Sequence, residues 1–334
     1  MAGGLSRRRS ETSWISGVGS ACSAFMRQAA RVVESWSSEE RDAVLYSASA
    51  LFAICSAEAS NISLYRQWGE LAVGPYAAAA VFSALLARAH RRKEAAVAEA
   101  GGEDHTVTPA QRQWHWTSTR TLIFLMVLVG ATLLPLSLEV LWRTSTNGTA
   151  HVQPEVPVVE QAGVRVAHHQ DPYQNVGPGS HLQPPPGQPK YDIYDPYLPL
   201  MSAFGLARST HAPPRLTDAR VAFSLITMLV VVAALALCRG PTGPRVLTLQ
   251  SMTVLPTAAL PLATGGDDLP VAAFMLLGLV LMQRRRPLGA GIALGIAASM
   301  KITAWPLAAV AFLAARDREG QRGRRPALWV VAGM

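Results

Sequence analysis

Charge is scarce in this chain. Of its 334 residues, 16% are Asp, Glu, Lys or Arg, against about 25% in soluble domains. The shortage is uneven: long charge-free runs alternate with short, arginine-rich connectors. That is the layout of a polytopic membrane protein. Cysteine is scarce as well. Cys22, Cys55 and Cys238 are the only three, and no CxxC is present. Structural zinc and dithiol chemistry therefore have no support, and the three are expected to be small apolar fillers. No nucleic-acid-binding motif accompanies the formal net charge of +8. Lys and Arg gather in the cytoplasmic loops of membrane proteins, which explains the charge without a nucleic-acid partner. Membrane lipids are the expected surroundings.

What is present is a series of apolar runs. Residues 1–42 form a polar tail with Arg7, Arg8 and Arg9. Its run 14–36 is a candidate interfacial helix. No apolar segment follows the arginines at signal-peptide distance. Residues 43–142 hold the first spans, at 43–62, 72–89 and, strongest, 122–142, with a basic linker at 90–119. Trp114, Trp116 and Trp142 bracket the third span as interfacial anchors. Residues 143–217 form a long polar loop that closes on 196–206, an apolar piece too short to cross. Residues 218–334 carry further spans at 221–238, 246–263, 269–282, 288–300 and 302–315. The last apolar run, from 327, is shorter than the ~20 residues a span needs. The sequence is thus expected to end within a helix, as the front of a longer protein would. The expected fold is all-α and polytopic, with a long non-cytoplasmic loop after the third span.

Sidedness follows from the basic residues. The linker at 90–119, Arg239 to Arg245, the run Arg284, Arg285 and Arg286, and 316–325 are assigned to the cytoplasm, with the N-terminal tail. Alternation then puts the 143–217 loop, the connector at 265–268 and the break at Lys301 outside. Glu155, Asp171, Asp267, Asp268 and Lys301 all fall on that one face.

Each of these residues has a chemical and a structural reading. Glu155, in VQPEVPVVEQAG, can serve as general base toward an acceptor hydroxyl or help hold a divalent metal. It can equally be a solvated loop carboxylate. Asp267 and Asp268 can bind a cation or orient a sugar hydroxyl. An N-cap role before Pro270 fits them too. Lys301 interrupts an apolar segment, where an ionisable group is costly. It suits a lipid phosphate or a snorkelling position. Tyr173, Tyr191, Tyr194 and Tyr197 give an aromatic stretch suited to sugar faces or membrane interfaces. His168 and His169 lack the partner motif of a metal site.

The order of these motifs resembles a known family. A span leads into an outer loop with an acidic residue. Glu160-Gln-Ala-Gly163, Asp171-Pro-Tyr173 and Tyr197-Leu-Pro199 follow. Further on come Thr264-Gly-Gly-Asp-Asp-Leu-Pro270 and a glycine-rich helix from Leu288 to Lys301, before Trp305-Pro306. This is similar to GT-C membrane glycosyltransferases, and most to glycosyltransferase family 87, the polyprenyl-phosphate-mannose-dependent mannosyltransferases. The likeness covers 122–334. It implies a multi-pass protein of a bacterial plasma membrane. It also implies transfer of a sugar, mannose in that family, from a polyprenyl-phosphate donor to an extracytoplasmic glycan or lipid acceptor. By resemblance Glu155 stands for the carboxylate that deprotonates the acceptor and Lys301 for a residue near the donor phosphate. Asp171, Tyr173, Tyr197, Asp267 and Asp268 are the further substrate-binding candidates. No cofactor is implied beyond the divalent metal already named as a candidate. The chain departs from the family with Glu155 for the commoner Asp and with Tyr197-Leu-Pro for Tyr-Pro-Pro. The rival readings are a transporter or lipid flippase, which predicts internal repeats and midplane charges, and an inactive fragment of a longer membrane protein.

Overall fold

The computed structural model describes residues 36–99, 118–145, 151–173, 195–322 and 326–334. Helices account for nearly all of it, with no strand among the described residues. Residues 14–35 of the candidate interfacial helix, Cys22, Trp114, Trp116, Tyr191 and Tyr194 lie outside the described residues.

The first helix, α1, spans Ser38–Ala59. Its start is a capping box: the Ser37 hydroxyl accepts from Glu40 N–H, and Glu40 accepts from Ser37 N–H. Two orphan amides are thereby satisfied, which fixes the start in the sequence Ser-Ser-Glu-Glu. Helix α2 runs Ser63–Glu99. The linker expected from residue 90 therefore begins as helix, because its Ala, Glu, Lys and Arg residues are good helix formers. Helix α3 runs Ser118–Ser145 with a π-helical stretch at Leu128–Leu133. Pro135 causes the distortion: it has no N–H to offer the Ala131 carbonyl one turn back. The buried Trp68 indole supplies that bond instead, with Nε1 donating to Ala131 O at 3.0 Å. A proline and a tryptophan 67 positions apart in sequence thus lock α2 to α3.

The long loop is not all loop. Residues Glu155–Ala167 form a helix, α4. A 3₁₀ helix at Pro199–Ser209 packs on it. The apolar piece expected at 196–206 is this 3₁₀ helix, begun by Pro199. Beyond it, α5 spans Ala219–Leu237. The expected span at 246–263 is broken into α6 (Thr242–Thr253) and α7 (Pro256–Thr264). Pro256 biases the residue before it away from helix, and Leu255 is extended. Helix α8 is Asp268–Gln283, α9 is Pro287–Met300, α10 is Trp305–Arg322 and α11 is Pro326–Gly333.

Among the described residues, five stretches are long and apolar enough to cross a membrane: Ser38–Ala59, Ser63–Val97, Ser118–Ser145, Ala219–Leu237 and Thr242–Thr264. Helix α5 shows why hydrocarbon must surround them. Phe223, Thr227, Val231 and Ala234 face inward. Leu225, Leu229 and Val232, on the opposite side, are each more than half exposed. A helix apolar on both faces, with one face uncovered by protein, is stable in lipid. Cys55 also lies on an exposed position of α1.

Alternating helices sort the charges to two ends. At one end Arg120 Nε donates to Asp42 Oδ2 at 2.7 Å, and Gln250 Nε2 donates to Asp42 Oδ1 at 3.0 Å. At the other end lie the loop, α4 and the turns at 265–268 and 301.

Helix α4 and the 3₁₀ helix pack backbone to backbone. A Cβ on Gly163 would fall 2.2 Å from the Gly205 carbonyl carbon. Two backbones touch there, which explains the glycine of Glu160-Gln-Ala-Gly163. Gly163→Ala is expected to destabilise the protein by about 1–3 kcal/mol, the usual cost of overpacking. Thermal melting in detergent checks this; an unchanged midpoint would mean that α4 does not seat on the 3₁₀ helix.

Candidate active site

Four separated segments deliver side chains to one place at the loop end. The first is the strap from His151 to Glu155. Its Gln153 N–H donates to Thr264 O at 3.0 Å. Gln153 Nε2 donates to the hydroxyls of Tyr65 at 2.8 Å and Thr264 at 2.9 Å. The strap then enters α4 with Glu155 in its first turn. Glu155 is therefore not a solvated loop carboxylate but a half-buried one at a helix N-terminus, where the dipole favours a negative charge. It lies close enough to the phenols of Tyr65 and Tyr197 to act on both electrostatically.

The second segment carries Asp195 and Tyr197. It is pinned by Leu198 N–H, which donates to Met300 O at 3.0 Å. This bond sets Tyr197 beside Lys301, with Nζ 5.3 Å from the ring centroid. The third is the turn between α7 and α8. Gly265 has φ +119°, and a Cβ there would fall 2.3 Å from Val156 Cγ2. Only glycine allows both that conformation and that approach to the strap. Asp267 and Asp268 follow. Asp267 sits at the N-cap position but makes no side-chain cap bond. Its carboxylate turns to Lys301 instead, so the capping role open to it in the sequence is not the one it takes.

Lys301 is the fourth contribution. It occupies an extended break between α9 and the short 3₁₀ turn that leads into α10. Its Nζ lies 3.0 Å from Asp267 Oδ1 and 2.6 Å from Asp268 Oδ1. Lys301 is therefore not a bare cation awaiting phosphate, nor a snorkelling end residue. Burial opposes its charge, but the two aspartates outweigh it and hold the ammonium pKa above the usual lysine value.

The carboxylates are pushed the other way. Burial raises Asp267 above the usual carboxylate range and Asp268 adds to it, against the pull of Lys301. Burial also raises Asp195, against its bond from Tyr197 N–H, and the charge of Asp267 adds to it. Tyr197 is raised by burial first and then by Asp267 and Glu155. Asp267 and Asp268 share Lys301, and Asp195 lies within electrostatic reach of Asp267. Such a site holds protons readily and can accept one from a substrate hydroxyl. Among the described residues no group of three or more His, Cys, Asp or Glu is placed to hold a metal ion.

Asp171 is not brought into this cluster. Its Oδ1 accepts from Tyr173 N–H at 2.9 Å, closing a local turn on the surface. Tyr173 reaches the site only through its hydroxyl, which donates to Tyr197 O at 3.1 Å. His168 and His169 end α4, with His169 at φ 57°.

Behind the site runs a buried chain of charges that the sequence did not reveal. Arg143 holds Glu160 with two bonds, of 2.8 and 2.7 Å, and reaches Asp218 Oδ2 at 2.8 Å. Asp218 in turn holds Arg220 at 2.9 Å through both carboxylate oxygens. Arg220 is fully buried and donates to the backbone carbonyls of His151 and Ala263. Glu160 is thus a structural anchor of α4. Asp195, which the sequence also did not single out, stands in the Asp-Pro-Tyr run already noted for its tyrosines.

The fold and this site define a polytopic, all-helical membrane protein with a charged site at one end of its bundle. Residues 197–333 match the family model of glycosyltransferase family 87. Over that span, less than half of the chain, it is similar to this family of glycosyltransferases. No curated protein and no solved structure matches the chain. The matched region contains Tyr197, Asp267, Asp268 and Lys301. Glu155 lies before it and is joined to the site by geometry alone.

Proposed function

We propose that this protein is a glycosyltransferase that takes mannose from a polyprenyl-phosphate donor and transfers it to a glycan or lipid acceptor on the non-cytoplasmic side of a bacterial plasma membrane. The observation that carries the reading is the meeting of Glu155, Tyr197, Asp267, Asp268 and Lys301 at one end of the bundle. The arginine-rich turns at 239–245 and 284–286 gather at the opposite end, which favours placing the site outside and the N-terminus inside.

In this reading Glu155 takes the proton as the acceptor O–H bond breaks. The acceptor oxygen bonds to the anomeric carbon, and the bond from that carbon to the phosphate oxygen breaks. The phosphate stays on the polyprenol and gains negative charge. Lys301 faces that charge. A donor phosphate must share Lys301 with two aspartates, so a proton on Asp267 eases its binding by removing one competing charge. Tyr197 packs its ring beside Lys301, and Tyr173 meets the site through its hydroxyl.

The test uses membranes containing the full-length chain and radiolabelled polyprenyl-phosphate mannose. Wild type is expected to transfer label to an organic-insoluble or lipid-linked product. Lys301→Ala is expected to lower kcat/KM for the donor by about 100-fold, as loss of a charge-stabilising group at a transferring centre does. Transfer from a nucleotide sugar but not from polyprenyl-phosphate mannose would reject the donor class.

A further inference from the structure

The strap that ends in Glu155 carries a second titratable group, and nothing in the reaction just described uses it. His151 stands at the start of the strap with φ 62°, a left-handed conformation unfavourable for a side chain larger than glycine. Strain of this kind persists where the surroundings over-determine it. Here they do so from three helices. On α2, Gln67 Oε1 lies 3.0 Å from His151 Nδ1. On α3, Glu139 Oε2 lies 3.1 Å from the same nitrogen, and the Trp142 ring packs 5.5 Å from the imidazole centroid. On α5, Arg220 holds the His151 carbonyl at 2.7 Å. The charged groups facing His151 are thus Glu139 and Arg220.

Glu139 is fully buried inside the strongest membrane span. Its other oxygen, Oε1, has no hydrogen-bond partner. A carboxyl group at such a position costs several kcal/mol unless it serves a purpose. Two oxygens facing one ring nitrogen place the neutral imidazole hydrogen on Nδ1. The lone pair is then on Nε2, in a side chain that remains one-fifth exposed. A histidine whose tautomer is set by a carboxylate is the arrangement that makes imidazole a base.

We propose that Glu139 and His151 form a second acid–base pair of this site, in which His151 Nε2 receives the proton released from the acceptor hydroxyl and Glu139 stabilises the imidazolium formed. This deepens the transferase reading and rests on it. The proton balance is unchanged: it leaves the acceptor oxygen, passes Glu155 and comes to rest on Nε2 until solvent removes it. Burial and Arg220 lower the imidazole pKa, so Nε2 is unprotonated and ready near neutral pH.

Two measurements test the pair. The first is NMR of the protein labelled with ¹⁵N at its eight histidines, the His151 signal being the one lost in His151→Gln. Expected are the Nδ1–H tautomer near neutral pH and a midpoint that falls in Glu139→Gln, since the carboxylate no longer supports the imidazolium. An Nε2–H tautomer, or a midpoint unmoved by Glu139→Gln, overturns the pair. The second is the pH profile of sugar transfer. His151→Ala is expected to lose about 100-fold, with partial recovery in added imidazole. Undiminished transfer, or a loss that imidazole leaves unmoved, also overturns it. If the wild type transfers no sugar from any polyprenyl phosphate, the transferase reading fails, and the NMR result alone decides whether the pair exists.

Discussion

Glu155→Gln is expected to lower sugar transfer by about 10²- to 10⁴-fold, the range for loss of a general base, while the protein still inserts and melts normally. The substitution keeps the size and planarity of the side chain, so packing at the start of α4 is preserved. It removes the one property that matters, the ability to accept a proton. Loss of the charge also removes a favourable term at the helix N-terminus, but that is worth only about 0.3–1 kcal/mol. A kinetic collapse with a near-normal melting temperature therefore separates catalysis from stability. The measurement is kcat and KM for the acceptor in membranes, with insertion checked on the same sample. A wild-type kcat would remove Glu155 as the base and move the role to Asp195, Asp267 or Asp268, which share the site.

The second large effect is on stability. Arg143→Met is expected to cost about 3–5 kcal/mol, because it takes the two-pronged hold from buried Glu160 and one of two arginines from buried Asp218. Removing one partner of a buried ion pair is worse than removing both, so Arg143→Met with Glu160→Gln should recover much of the loss, while Asp218 keeps Arg220. Arg143→Lys should fall between, since an ammonium cannot reproduce the two-pronged hold on Glu160. Thermal melting of the four proteins in one detergent gives the ranking. A melting point unchanged in Arg143→Met would mean that the network contributes nothing. The network also has a pH signature. Burial works against the Asp218 charge, but the bonds and charges of Arg220 and Arg143 prevail and hold its pKa below the ordinary value of 3.8. A depressed folded-state pKa contributes stability above the unfolded pKa and loses it as pH falls through the folded one. Acid lability below about pH 4 should thus be blunted in Asp218→Asn, whose side chain does not titrate.

The two effects are connected through α4. Arg143 and Glu160 fix that helix from behind, and Gly163 lets it settle on the 3₁₀ helix. Glu155 stands at its leading end. A substitution that loosens the anchor therefore lowers transfer as well, even though Arg143 touches no substrate.

The sequence by itself determined the membrane fold. Runs of apolar residues free of charge can only be stable in hydrocarbon or a core, and the connectors between them are short. It determined the family resemblance too, since Thr264-Gly-Gly-Asp-Asp and the helix ending at Lys301 are local strings. The break at Val254 and Leu255, inside what reads as one span, has a local steric cause in Pro256. The helix at Glu155–Ala167 was not read, because Pro154, Pro157 and a length of 13 residues look like loop when no neighbour is in view. Glu139 had a signal that could have been read: it is a lone carboxylate inside the strongest span. What only the tertiary structure decided were the pairings. Lys301 with Asp267 and Asp268, Arg143 with Glu160, and His151 with Glu139 join positions from 12 to 34 apart. Charge partners are chosen by distance in space and by the high cost of leaving a buried charge alone. Hydropathy along the chain carries no information about either.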